Sequence, residues 1–334
     1  MLKNILVATV IVVSTLVYAT REVAPILPPT SMSTPASPAG RFGVDSQNIL
    51  EEKVLPSEGI VLPVRWDNLG VKLVKDGVID SEKFEQLYSN RGGLSVEMKA
   101  MLKGEANGNI KITAENSGVI LNLLWALGLG SKNEILEKGP MTDKNYGGAD
   151  RFASTGGWTL AKGRAMDHYS QHQFFNLTPV EQQLVERVSK NIYRPCCGNS
   201  TYFPDCNHGM AMLGLLELMA SQGMSELDMY QTALAVNSYW FPDTYLTIAT
   251  YMKNKGVDWK NVNPQEMLGA NFSSGQGFAR IASQVATSGN AHGGNSCGIE
   301  TGTPVAPQRQ PSGCDVDTRQ PVSIPKKQSS GCGI

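Results

Sequence analysis

Six cysteines and four histidines are all that this 334-residue chain carries, yet Cys196, Cys197, Cys206 and His208 fall within "CCGNSTYFPDCNH". Three thiolates and an imidazole are enough for a closed tetrahedral zinc site. The same soft donors suit copper(I) and other thiophilic ions. The spacing supports this only in part, because adjacent cysteines point apart in a regular backbone and common zinc motifs leave two to four residues between them. Pro195 and Gly198 make a turn that lets Cys196 and Cys197 address one ion.

Other chemistry is open to the same residues. In an oxidising compartment, Cys196 or Cys197 bonded to Cys206 would staple the intervening loop. A Cys–His pair can also activate a thiolate nucleophile. Asp205 or Asn207 is placed to cap a helix starting near His208, which would set Cys206 beside the positive end of that helix. Met210, Met212 and Met219 extend the thiophilic theme, but within "MAMLGLLELMA" they are expected in the core.

Two other groupings raise weaker possibilities. "MDHYSQH" sets His168 and His172 four apart, on one face of a helix if one forms, with Asp167 near enough to orient a ring. Tyr169 follows the first histidine where a zincin helix carries glutamate, and an exposed helix end is the plainer account. Glu105 and Glu115 would suit glycoside hydrolysis only across a cleft, and solvated helix and loop positions explain them better. No glycine-rich phosphate fingerprint is present, so no nucleotide or organic cofactor is indicated.

The elements that must position the cysteines are mostly helical. "GVILNLLWALGLG" is apolar around most of its circumference and reads as a central helix stopped at Gly130. "TPVEQQLVERVSKNIY" has full start chemistry: Thr178 as cap, Pro179 in the first turn, Glu181 three beyond the cap. Asp80 or Ser81 caps a brief helix carrying Phe84 and Leu87, and "IVLPVRW" suits a short strand. Further helices are expected from "STGGWTLAKGRAMDHYSQH", "HGMAMLGLLELMASQG", "SELDMYQTALAVNSYWF", "DTYLTIATYMKNKG" and "SGQGFARIASQVATSG".

Four segments follow. Residues 1–20 carry Lys3 and then an apolar stretch, as in a signal peptide or membrane anchor. Residues 21–60 hold a Pro/Ser/Thr-rich spacer, 61–289 a mainly helical domain with minor β structure, and 290–334 a flexible tail bearing Cys297, Cys314 and Cys332. Formal net charge is -1, which leaves no basic field for nucleic acid. Membrane contact is expected only through the N-terminal segment. "NLT", "NST" and "NFS" fit the glycosylation pattern.

The expectation is an extracytoplasmic protein, secreted, periplasmic or anchored, that binds or handles a soft metal such as zinc or copper through Cys196, Cys197, Cys206 and His208. A metal-donor or metal-acceptor protein is its implied partner, and the tail cysteines offer self-association. A disulfide-stabilised extracellular assembly protein and a thiol-dependent enzyme are the alternatives.

Overall fold

The computed structural model describes residues 48–290. The signal or anchor, most of the spacer and the cysteine-bearing tail lie outside the described residues, and so do Cys297, Cys314 and Cys332. The described body is mostly helical, as the apolar periodicity predicts. Among the described residues no helix is long and apolar enough to cross a membrane.

It starts earlier than composition suggested. Helix α1, over 48–54, lies in the stretch assigned to the spacer and buries Leu50 and Val54. Strand β1 (Ile60–Asp67) follows, with Leu62, Val64 and Trp66 inward and Val61 and Arg65 outward, the two-residue alternation of a half-buried strand. Its antiparallel partner, β2 (Asn107–Ile112), falls in the stretch read as solvated helix and loop. The sequence "NGNIKI" has too few β-branched or aromatic residues to announce a strand. The register shifts between Val61 and Arg65, where Pro63 has no N–H to donate, and Asn109 Nδ2 donates to the Leu62 carbonyl there at 2.9 Å.

Between the strands run α2 (Leu69–Lys75), α3 (Ser81–Ser89) and α4 (Val96–Lys103). Asp80 caps α3 by accepting from the Glu82 and Lys83 amides, and Phe84 is buried as expected. The core is built on α5 (Ser117–Gly130), followed by the short α6 (Glu134–Lys138), and on α8 (Asn207–Ser221). Helices α5 and α8 cross at glycines. A Cβ on Gly128 would run into the Met210 carbonyl, and one on Gly214 would sit 2.6 Å from Gly128 N and Leu124 O. The backbones therefore touch, and leucine-sized side chains close around the crossing. Met210, Met212 and Met219 are fully buried in this core.

Around that pair lie α7 (Pro179–Ser189), α9 (Glu226–Trp240), α10 (Pro242–Asn254), α11 (Pro264–Leu268), α12 (Ala270–Ser273) and α13 (Gly275–Asn290). Thr178 and Glu181 form the expected reciprocal capping box at α7.

The helix expected across "STGGWTLAKGRAMDHYSQH" does not form. Residues 154–172 run as turns with one 3-10 segment, Ala165–Asp167. Gly163 at φ 77° and Ser170 at φ 55° take left-handed conformations that a right-handed helix cannot contain. Trp158 instead fixes the segment by donating Nε1–H to the Val78 carbonyl at 2.9 Å.

Candidate metal centre

The cysteine stretch is a loop folded back onto the start of α8. Tyr193 pairs with Ser200 in an isolated antiparallel bridge, and Thr201 N donates to Ile192 O at 2.8 Å. These close the neck of the loop. Its tip is a turn in which Cys197 N donates to Arg194 O at 3.3 Å. Tyr193 N to Leu268 O (2.8 Å) and Gly275 N to Cys197 O (2.9 Å) tie the loop to α11 and α13. The turn expected at "PCCGN" forms, yet Cys196 and Cys197 fall into different groups of neighbouring donor atoms.

Cys206 ends the loop as the N-cap of α8. Its backbone is extended, φ -122° and ψ 166°, and its sulfur accepts from the Gly209 amide at 3.4 Å. Asp205 and Asn207, the expected caps, serve elsewhere. Asn207 Oδ1 accepts from the next amide, His208 N, at 2.9 Å, while Asp205 Oδ1 accepts from Arg194 Nη2 at 2.7 Å.

The four predicted donors divide into two groupings that share one sulfur. Ligand atoms of Cys196, Cys206 and His208 lie within 4.8 Å of one another, as do those of Cys197, Asp205 and Cys206. Cys196 and Cys206 sulfurs are 3.6 Å apart and unbonded; all three described cysteines are free. His208 is buried against Phe241 (ring centroids 4.3 Å) and Trp240 (5.8 Å), which hold its ring in place at the first turn of α8.

The second grouping already has a cation. Arg194 is fully buried, and its Nη2 reaches Asp205 Oδ1 at 2.7 Å, Cys197 Sγ at 3.2 Å and the Phe203 carbonyl at 3.3 Å. Asn199 Nδ2 donates to the other Asp205 oxygen at 2.8 Å. Gly209 makes room for this: a Cβ there would stand 2.7 Å from the guanidinium carbon. Burial alone pushes the Arg194 pKa down, but Cys206, Cys197, Cys196 and Asp205 more than reverse that, so the guanidinium stays charged.

The sulfurs are electrostatically unequal. Hydrogen bonds to Cys196 and Cys197 are the main reason the Cys206 thiol is held well below its ordinary value; the Arg194 charge and His208 add to this against burial. Cys196 is pushed the other way by its bonds to Cys197 and Cys206 and by burial. The cluster therefore favours the thiolate form at Cys206 more than at Cys196.

The remaining sequence candidates stay apart from this centre. His168 Nδ1 and His172 Nε2 face each other at 3.1 Å, with His168 Nε2 2.8 Å from the Lys162 carbonyl and His172 Nδ1 3.8 Å from Asp76. His172 pairs its backbone with Gly130 and Lys132 at the C-terminal end of α5. His208, by contrast, packs on Trp240, whose Nε1–H goes to Ser117 O at the N-terminal end. The 14 residues of α5 span about 20 Å. Asp167 turns to Arg164 and does not orient either histidine. Glu105 and Glu115 are exposed before and after β2, whose six residues extend about 20 Å, well beyond the separation of a glycosidase pair.

The sequence pattern also missed three participants. Arg194, Asp205 in its charged role, and Asn199 bracket or lie within the stretch, and the available signal was an arginine and an aspartate flanking cysteines in a loop with little apolar content. Among the described residues the class defined is a mainly α domain with a buried-arginine, cysteine-rich cluster at a helix entrance. No protein-family model, curated protein or solved structure matches the chain.

Proposed function

We propose that the protein binds and hands on a soft metal ion, zinc or copper(I), at Cys196, Cys206 and His208. The observation that carries this reading is the 3.6 Å separation of the Cys196 and Cys206 sulfurs. Two thiolates on one tetrahedral ion, each about 2.3 Å from it, lie about 3.8 Å apart. A disulfide would bring them to about 2.05 Å. Three protein donors leave one coordination position open, which suits transfer better than a closed structural site. Cys197 stays with Arg194 and Asp205, beside the ion. In this reading the chain works outside the cytosol behind its N-terminal segment, and a donor or acceptor protein reaches the ion through exposed Cys196.

Metal titration of the reduced full-length protein, followed by elemental analysis, tests the proposal. One ion per chain is expected. Cys206→Ser, Cys196→Ser and His208→Ala each weaken it at least tenfold, while Cys197→Ser stays within a few-fold of the parent. Equal, negligible uptake by the parent and by a Cys196/Cys197/Cys206 alanine variant sinks the reading.

The lowered Cys206 thiol supports a second reading, a thiol-dependent reaction with Cys206 as nucleophile. It calls for Cys206 to be alkylated faster than every other cysteine in metal-free protein. Uniform alkylation of all six counts against it.

A further inference from the structure

The same two sulfurs that frame the candidate ion are also placed to bond to each other, and only one of them has to move. Cys206 is fixed at the entrance of α8, where its backbone carbonyl accepts from Met210 N at 2.9 Å and its sulfur from Gly209 N. Cys196 stands exposed at the loop tip. Two residues on, Gly198 has open space around it, with no atom within 4 Å of where a Cβ would lie. Bringing the sulfurs from 3.6 Å to bonding distance takes about 1.5 Å of travel, within reach of a side-chain rotation and a small shift of the tip. Cys197, whose sulfur lies within 4.8 Å of that of Cys206, is the natural competitor, but Arg194 Nη2 donates to its sulfur at 3.2 Å and holds it in place.

We propose that Cys196 and Cys206 form a reversible disulfide when the protein meets a low-molecular-weight disulfide, and that this oxidation releases the ion. The proposal rests on the metal reading above. The exposed Cys196 sulfur, deprotonated as a ligand of the ion, attacks one sulfur of the small disulfide, forming a mixed disulfide and expelling one small thiolate. Cys206 then attacks the Cys196 sulfur, closing the protein disulfide and expelling the second thiolate. Two protein thiolates lose two electrons in all, and one small disulfide gains them. Of the ligand set Cys196, Cys206 and His208, only the His208 imidazole keeps its donor capacity, because a disulfide sulfur is a far poorer ligand than a thiolate. An ion held by one imidazole leaves.

The test uses full-length reduced protein loaded with zinc and exposed to oxidised glutathione without oxygen. Released zinc is followed with a chromogenic chelator, and cysteine pairing is mapped by differential alkylation and peptide mass analysis. One zinc released per Cys196–Cys206 disulfide is expected, with two glutathione thiolates formed and zinc uptake restored by dithiothreitol. Cys197→Ser should still release one zinc per Cys196–Cys206 disulfide, whatever its rate. Zinc retained in the presence of that disulfide overturns the inference. So does release while Cys196 and Cys206 remain alkylatable, or while they pair with Cys197 or the tail cysteines instead. These outcomes leave the metal reading standing. Failure of the reduced protein to take up zinc sinks the metal reading, and the release mechanism with it.

Discussion

Helix α8 has a buried ionisable group near each end, and the two are treated in opposite ways. Arg194, packed flat on Gly209 near the helix start, is fully buried yet charged, because Cys206, Cys197 and Cys196 surround it with negative charge and Asp205 meets it at 2.7 Å. Glu217, in the last third of the helix, is 1% exposed, and among the described residues no cation pairs with it. One of its oxygens accepts from Asn133 Nδ2 at 2.5 Å, and the other has no partner. Burial, only partly offset by hydrogen bonds from Ser131 and Asn133, pushes its pKa up to about 8. The lesson is that this interior keeps a charge only where it also supplies the counter-charge. Elsewhere it keeps the group neutral.

The largest expected effect comes from breaking the paired end. Asp205→Ala leaves the Arg194 guanidinium buried without its carboxylate, and should cost roughly 3–5 kcal/mol in urea denaturation. A loss below about 1 kcal/mol would mean that the thiols alone sustain the buried cation.

At the unpaired end, the expected effect is a pH slope. Glu217 keeps its proton in the folded state up to about pH 8, whereas in the unfolded chain it loses it near its ordinary value of 4.5. Between these values the unfolded state binds fewer protons, so stability falls as pH rises, by about 1.4 kcal/mol per unit inside the window. Below pH 4.5 and above pH 8 this contribution is flat. Glu217→Gln should remove the slope between pH 5.5 and 7.5. An unchanged slope would assign the pH dependence to other groups.

A subtler break is Gly209→Ala, which keeps both charges but moves the guanidinium off the helix backbone. A methyl 2.7 Å from the Arg194 guanidinium carbon must displace it, at an expected cost of about 1–3 kcal/mol by thermal melting. The smallest effect on stability belongs to Cys206→Ser. Serine is a better N-cap than cysteine, so α8 should keep its start and stability should change by less than about 1 kcal/mol. Metal uptake is nevertheless expected to fall at least tenfold, which separates the capping role of Cys206 from the ligand role proposed for it.

How much was legible depended on how local the signal was. The start of α7 was readable because Thr178, Pro179 and Glu181 sit within four positions and act on one another. The strand character of β1 and the all-round apolar face of α5 were readable for the same reason. Strand β2 was not, since Asn107, Gly108 and Asn109 are recruited by pairing with β1 and not by their own propensity. The turns over residues 154–172 also escaped, because "WTLAKGRAMDHY" contains good helix formers that its glycines and tertiary anchors override. At the site, the donor types were evident, but the cap was misassigned. Asp205 is the better cap by propensity, and it is drawn away by an arginine 11 residues earlier.

By itself the sequence determined the local terms: a mostly helical body, methionines in the core, and three thiols and an imidazole concentrated at one loop and helix start. Periodicity and capping act over a few residues, and those interactions are written in order along the chain. Only the tertiary structure decided how the donors are shared out. Closure of the loop at Tyr193–Ser200 and its ties to Leu268 and Gly275 carry Arg194 into the interior beside Gly209. There it claims Cys197 and Asp205 and leaves Cys196, Cys206 and His208 together. Which sulfur faces Arg194 and which stands beside His208 depends on contacts between distant segments, and spacing along the chain does not encode them.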